Sequence, residues 1–192
     1  MTEAEIITLF RQSRALLEGH FELSSGLHSD RYFQCALVLQ DPTLATHLGS
    51  TLAKLFVGLE PIAAIAAPAI GGILVAHEVA RALHTRAIFT ERVKGTMTLR
   101  RGFSLQPGDR VIVVEDVITT GLSTRETMAA VEQASGVVMG VGALVDRSGG
   151  TAFKDSSVPH HTLVTLAVQS YVPAECPLCR NRIPIIKPGS RI

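Results

Sequence analysis

The chain is poor in cysteine, in long apolar runs and in charge of either sign. Three cysteines in 192 residues, two of them three positions apart, cannot staple a disulfide framework. A reducing, cytoplasmic setting is the expectation. The most apolar stretch, residues 61–83, is broken by Pro68, Gly71 and Gly72 and carries His77, Glu78 and Arg81, so no membrane span is expected. No basic segment followed by an apolar one opens the chain, and no secretory signal is read. Lys and Arg number 18 against 17 Asp and Glu, a net charge of +1 with the signs interspersed. That balance offers no footprint for nucleic acid or an anionic membrane. Neither a Gly-x-Ser-x-Gly elbow nor a Walker loop occurs, which disfavours hydrolase and P-loop readings. No repeat, low-complexity segment or linker divides the sequence, so residues 1–192 read as one domain able to bury a full core.

What is present alternates between two periods. Thr2 with Glu5 marks a capping box for a helix to about residue 17. Asp41 and Pro42 open a second helix with Leu44, Ala45, Leu48, Leu52, Leu55 and Phe56 on one face. Buried strands are expected over 62–67, 86–90, 111–115 and 137–145, with an edge strand over 162–168. A helix is expected over 71–83, and residues 91–102 read as a polar loop. Helices alternating with β-branched runs predict an α/β fold with a doubly wound parallel sheet.

The most informative segment is 111–123. Val111, Ile112, Val113 and Val114 lead into Glu115 and Asp116, then through Val117 and Ile118 to Thr119, Thr120, Gly121, Leu122 and Ser123. Ser123 with Glu126 reads as a capping box opening a helix to about residue 135. Strand end, acidic pair, hydroxyl loop and helix start therefore share one crevice at the carboxyl edge of a sheet, where open α/β folds bind ligands. Helix-start N–H groups and hydroxyls suit a phosphate. Two carboxylates repel a phosphate but suit vicinal hydroxyls or an oxygen-seeking cation such as Mg²⁺. Ribose 5-phosphate satisfies both halves.

This succession resembles the phosphoribosyl-diphosphate (PRPP) signature of the type I phosphoribosyltransferases. The resemblance implies that Glu115 and Asp116 take the ribose diol and that residues from Thr119 to Ser123 take the 5-phosphate. It assigns residues 115–123 as a whole to PRPP. Leu23 to Phe33, with Ser25-Gly26, Ser29 and Tyr32, is similar to the N-terminal segment of the orotate phosphoribosyltransferases. Asp146-Arg147 is similar to the pair those enzymes place against the base, and Cys176 to Ser190 resembles the tail of one bacterial subgroup. The family then implies displacement of pyrophosphate from PRPP by a ring nitrogen of orotate, with Arg147 and Thr119 contacting the base. Arg147 suits the task because a guanidinium fork matches a planar carboxylate. Tyr32 and Phe33 either wall the base or pack internally.

The resemblance also implies Mg²⁺ carried by PRPP, with no protein side chains alone forming a metal site. It implies a small hood from about residues 1–35 and the C-terminal tail, and a homodimer whose mobile loop reaches the neighbouring site. Here that loop falls at residues 91–101, with Lys94 and Arg92 as catalytic candidates and Gly95 as a hinge. Departures from the family pattern are Ser24 and Ile70-Gly71, where lysine-bearing motifs are usual. Gly71 and Gly72 therefore have two readings, backbone donors to the pyrophosphate or close helix–strand packing. A purine phosphoribosyltransferase and a non-catalytic PRPP-binding regulator stand as alternatives. Cys176-x-x-Cys179 shows no clear second ligand pair, although His160 and His161 precede it, and it reads as structural or incidental. His20, His28, His47, His77 and His84 read as ordinary surface or core residues.

Overall fold

The structure, a computed structural model, describes residues 1–23 and 25–188; Ser24 and the tail from 189, including Ser190, lie outside the described residues. The chain runs α1 (Glu3–Gln12), β1 (Leu16–Glu22), β2 (His28–Phe33), α2 (Ala36–Leu39), α3 (Pro42–Ala53), β3 (Ala64–Pro68) and α4 (Gly72–Ala82). It continues through β4 (Arg86–Val93), β5 (Thr96–Leu99), β6 (Arg110–Ile118), α5 (Leu122–Gln133), β7 (Val137–Asp146), β8 (His160–Thr165), β9 (Ser170–Tyr171) and α6 (Pro177–Arg180).

Six strands form one sheet in the order β5-β4-β3-β6-β7-β8. All neighbours are parallel except β4 and β5. Period-two alternation places both faces against helices. Ile65, Ala67, Ile112 and Val114 share a core with Leu48 and Leu52 of α3 and Val75 and Val79 of α4. Ala64, Ala66, Val111 and Val113 share another with Val131 of α5. Burial of each such Val or Ile is worth roughly 1.5–3 kcal/mol, which is why β6 has no polar residue between Arg110 and Glu115. The sheet is doubly wound, as its sequence pattern predicts.

A second sheet, β1-β2-β9, is antiparallel. Phe33 anchors it to the main core, meeting Phe10 edge-on at 6.3 Å between ring centres. The C-terminal tail returns to it through a bridge between Phe21 and Ile186.

Local signals held at two helix starts. Thr2 and Glu5 close a reciprocal capping box, with Glu5 N–H donating to Thr2 Oγ1 at 3.3 Å and Thr2 N–H to Glu5 Oε2 at 2.7 Å. Asp41 accepts from the N–H groups of Thr43 and Leu44 at 2.8 and 3.2 Å. α1 nevertheless stops at Gln12, because Leu16 already pairs with Phe33 in a strand. The segment expected to be a polar loop is a hairpin. Thr90, Glu91, Arg92 and Val93 pair with Leu99, Thr98, Met97 and Thr96. Its two-residue turn, Lys94-Gly95, has φ of 49° and 89°, the sign a tight primed turn requires.

Candidate active site

Strand order reverses between β3 and β6, and the crevice at their carboxyl ends holds the segments singled out in the sequence. The turn after β3 leads into the N-terminus of α4, and the loop after β6 leads into that of α5. Two helix starts on adjacent strands thus present free N–H groups to one crevice, a favourable setting for more than one phosphate.

Gly121, rather than Ser123, is the N-cap of α5. It lies at φ 75° in the left-handed region, and a Cβ there would sit 3.0 Å from the Phe153 ring. No side chain caps the helix. Thr120 Oγ1 instead accepts from Leu122 N–H at 3.3 Å, and Glu126, expected as the capping partner, is paired with Arg92. The expected capping box fails because the chain needs a left-handed residue to leave β6, and only Gly121 adopts one cheaply.

β6 continues through Val117 and Ile118, which pair with Val145 and Asp146, so Glu115 and Asp116 stand within the strand's end. Glu115 is pushed up to about 7 by burial first and by the neighbouring Asp116 charge, against a lowering hydrogen bond from Thr124. That bond is donated by the Thr124 hydroxyl to Glu115 Oε2. Burial also raises Asp116, opposed by backbone N–H groups of Val117 and of Asp116 itself. Such carboxylates gain from hydroxyl donors or a hard cation.

The turn after β3 presses on this pair. A Cβ on Gly71 would lie 2.6 Å from Asp116 Oδ1, and one on Gly72 would lie 2.8 Å from Ala67 Cβ. Close packing therefore requires glycine at Gly72. Gly71, exposed and beside the acid, leaves its backbone open to the crevice.

Arg147 follows β7 and donates its backbone N–H to Ile118 O, the last residue of β6, at 2.9 Å, which sets it beside the loop that begins at Thr119. Asp146 shapes the loop beyond by accepting from Ser148 and Gly150 N–H at 2.7 and 3.0 Å. Arg147 Nε and Asp30 Oδ1 are both buried without a hydrogen-bond partner. Burial lowers the Arg147 pKa, opposed by the nearby Tyr32 and Asp30. Two buried polar atoms without protein partners thus lie near one another, and a polar ligand could satisfy both. Tyr32 is half-buried there, whereas Phe33 belongs to the core.

Lys94 occupies the exposed tip of the β4–β5 hairpin. Arg92 is held by Glu126 of α5 and donates to Gly95 O at 2.6 Å; its pairing with Glu126 raises its pKa. Gly95 is half of a tight turn within paired strands.

Sequence reasoning passed over Thr124 and Asp30, which carry no motif, and read His20 and His28 as ordinary surface or core residues. The histidines matter because the structure brings them to Cys176 and Cys179, all four ligand atoms lying within 4.8 Å of one another. A second ligand pair therefore does exist, and it is not His160 and His161, which pack on Phe153 and Phe56. Two histidines eight positions apart at the ends of one hairpin were the available signal.

Comparison with known proteins agrees with this geometry. The sequence pattern of the phosphoribosyl transferase domain matches residues 39–169. An orotate phosphoribosyltransferase of Pelotomaculum thermopropionicum is 54% identical, over 100% of this chain and 99% of its own length. One of Carboxydothermus hydrogenoformans is 52% identical, over 97% of each. The crystal structure of orotate phosphoribosyltransferase from Aeropyrum pernix superposes with a TM-score of 0.71 at 25% identity, covering 84% of this chain and 93% of that one. With a matched domain spanning both halves of the crevice and relatives similar along their whole length, the chain belongs to the phosphoribosyltransferase family, in its orotate branch.

Proposed function

We propose that the chain transfers the 5-phosphoribosyl group from PRPP to orotate, giving orotidine 5′-phosphate and pyrophosphate in pyrimidine synthesis. The observation that carries the choice of base is the unpartnered Arg147 Nε, buried beside the phosphate loop. A base bearing a carboxylate meets it with a charge-assisted fork, whereas an uncharged purine offers only neutral acceptors.

In this reading the Thr119–Ser123 loop and the start of α5 hold the 5-phosphate. Glu115 and Asp116 accept hydrogen bonds from the ribose hydroxyls, and Gly71 offers its backbone N–H toward the pyrophosphate. Arg147, with Thr119, orients orotate so that its ring nitrogen lies behind the anomeric carbon. The carbon–nitrogen bond forms as the bond to pyrophosphate oxygen breaks, through an oxocarbenium-like state, and the proton of the ring N–H passes to the departing pyrophosphate or to solvent. The buried carboxylates stabilise its positive charge. Lys94, from the hairpin tip, and Arg92 meet the charge growing on the leaving group.

Mg²⁺ fits the acidic pair only as a shared ion. The donors are hard oxygens, but they are two, and six are usual. Among the described residues, the one cluster of three or more His, Cys, Asp or Glu ligand atoms lies elsewhere. Glu115 and Asp116 would hold an ion that arrives with PRPP, and that ion would supply positive charge to the pyrophosphate.

The reading takes residues 1–192 as one domain, with residues 1–35 and the tail as a hood over the base. It takes the protein as a cytoplasmic homodimer in which one subunit's hairpin serves its neighbour's site, without nucleic-acid or membrane partners. Exposure of Lys94 at a hairpin tip and three free cysteines support it. Among the described residues, no helix is long and apolar enough to cross a membrane.

The test is PRPP-dependent consumption of orotate measured beside adenine, guanine and hypoxanthine. Orotate alone should be consumed, with release of pyrophosphate. Preference for a purine overturns the base assignment. PRPP binding with no pyrophosphate released from any base would instead favour a regulator.

A further inference from the structure

The His20, His28, Cys176 and Cys179 side chains meet between β1, β2 and the segment that follows β9. None of them belongs to the crevice described above. His20 Nδ1 lies 2.8 Å from Ile183 O, so Nδ1 carries the proton and donates, leaving the lone pair of Nε2 free. Three atoms converge on that one lone pair: His28 Nδ1 at 2.9 Å, Cys176 Sγ at 3.7 Å and Cys179 Sγ at 3.8 Å. Cys179 Sγ is also 3.3 Å from His28 Nδ1. One lone pair accepts one hydrogen, and hydrogen bonding satisfies only one of the three approaches. A cation at the centre satisfies all four atoms together.

The dimensions fit a specific ion. Tetrahedral Zn²⁺, with bonds of about 2.0–2.1 Å to nitrogen and about 2.3 Å to sulfur, separates its ligands by about 3.3 Å for two nitrogens, about 3.6 Å for nitrogen and sulfur and about 3.8 Å for two sulfurs. The one nitrogen–nitrogen and three nitrogen–sulfur spacings given above lie within about 0.4 Å of these values, and all four atoms lie within 4.8 Å of one another. The ligand set is also the right one. Two thiolates and two neutral imidazoles are soft to borderline donors that select zinc over Mg²⁺ or Ca²⁺. They balance a dication, so the loaded site is neutral and can be buried. The Ile183 carbonyl supplies the outer hydrogen bond that ligating imidazoles usually make. All four positions are filled by protein, which describes a structural site.

The surrounding fold shows what such an ion would hold. Between residues 165 and 188, Cys176 is the one buried residue. Ile183, Ile185 and Ile186 are exposed, at 40, 45 and 56%. The tail is tied to β1 by Ile186 N–H to His20 O at 2.8 Å and Glu22 N–H to Ile186 O at 2.9 Å, and by Lys187 to Glu22 at 2.7 Å. A segment with almost no core of its own needs another source of order. β2 carries His28 together with Asp30 and Tyr32, which lie near Arg147. Fixing its first residue therefore also steadies one wall of the base site.

We propose that His20, His28, Cys176 and Cys179 bind one structural Zn²⁺ ion that fastens the C-terminal tail to the β1–β2 hairpin. The full-length protein is incubated with Zn²⁺, freed of excess by gel filtration, and its metal content measured. One zinc per chain is expected, lost in the Cys176→Ser/Cys179→Ser variant. Co²⁺ in its place should show a thiolate charge-transfer band and the visible spectrum of tetrahedral coordination. A measurement on the unaltered chain avoids dependence on how variants fold. The exposed Cys179 should resist alkylation when zinc is present and react after a chelator is added. Zinc content well below one per chain, zinc retained by the double variant, or Cys179 alkylated equally with and without zinc would each overturn the proposal. So would a Cys176–Cys179 disulfide found by intact mass in protein kept under reducing conditions.

Discussion

Glu115 is where a single side chain should govern behaviour with pH. Its carboxyl is held up to about 7 in the fold, by burial first, against an ordinary value of 4.5. The folded state therefore keeps a proton that the unfolded chain gives up. The stabilisation is fully present below about pH 4.5, declines as pH rises toward 7, and is gone above it. The whole effect is on the order of 3 kcal/mol. Urea unfolding of the ligand-free protein at about pH 5 and about pH 8 should show that decline, and Glu115→Gln should flatten it. Under the proposed role of the pair, binding should run the other way, because an ionised carboxylate accepts hydrogen bonds from hydroxyls better than a protonated one. PRPP affinity should rise with pH up to about 7 and then level off. Arg147 belongs to the same scale. Arg147→Ala should raise KM for orotate by roughly 30- to 1,000-fold, about 2–4 kcal/mol, with little change in PRPP binding by calorimetry. Arg147→Lys should recover little, because an ammonium cannot make the fork. Equal loss toward both substrates would remove Arg147 from the base site.

At the scale of elements, the crevice depends on how closely α4 descends onto β3 and β6. A methyl group at residue 72 would meet Ala67 Cβ at 2.8 Å and Val114 O at 3.3 Å. Gly72→Ala should cost about 1–3 kcal/mol through overpacking, read as a lower urea midpoint with an unchanged slope. An unaltered midpoint would mean that α4 can shift without strain. Two helix starts were legible because Thr2 with Glu5 and Asp41 with Pro42 act within one turn of chain. The α5 start was misread because its local box competed with a requirement set by β6, a left-handed exit at Gly121. The β4–β5 hairpin was missed because Thr96, Met97, Thr98 and Leu99 form too short an alternation to stand out. Its partner strand makes it a strand.

At the scale of the molecule, the Lys94 hairpin and the acidic pair lie on different elements, and the proposed homodimer lets one subunit complete the other. Lys94→Ala and a Glu115→Gln/Asp116→Asn variant should each be nearly inactive. Mixed under conditions that exchange subunits, they should recover activity that neither has alone. No recovery despite mass-spectrometric proof of mixed dimers would confine each site to one chain.

Much of the architecture was decided by sequence alone. Period-two apolar runs beside amphipathic helices dictate a two-faced parallel sheet, because only burial on both sides satisfies Val111 to Val114. The thirteen residues from Val111 to Ser123 carried the acidic pair and the proposed phosphate loop, since contiguous chain delivers them to one strand end whatever else happens. Tertiary structure alone decided the rest. It brought Asp30 and Tyr32 of β2 near Arg147 after β7, and it placed Phe33 in the core. It also carried Cys176 and Cys179 back across the fold, more than 150 residues from His20 in the chain. Local pattern records what neighbours in the chain do to one another; sites built from distant segments come into being only when the core and the second sheet draw those segments together.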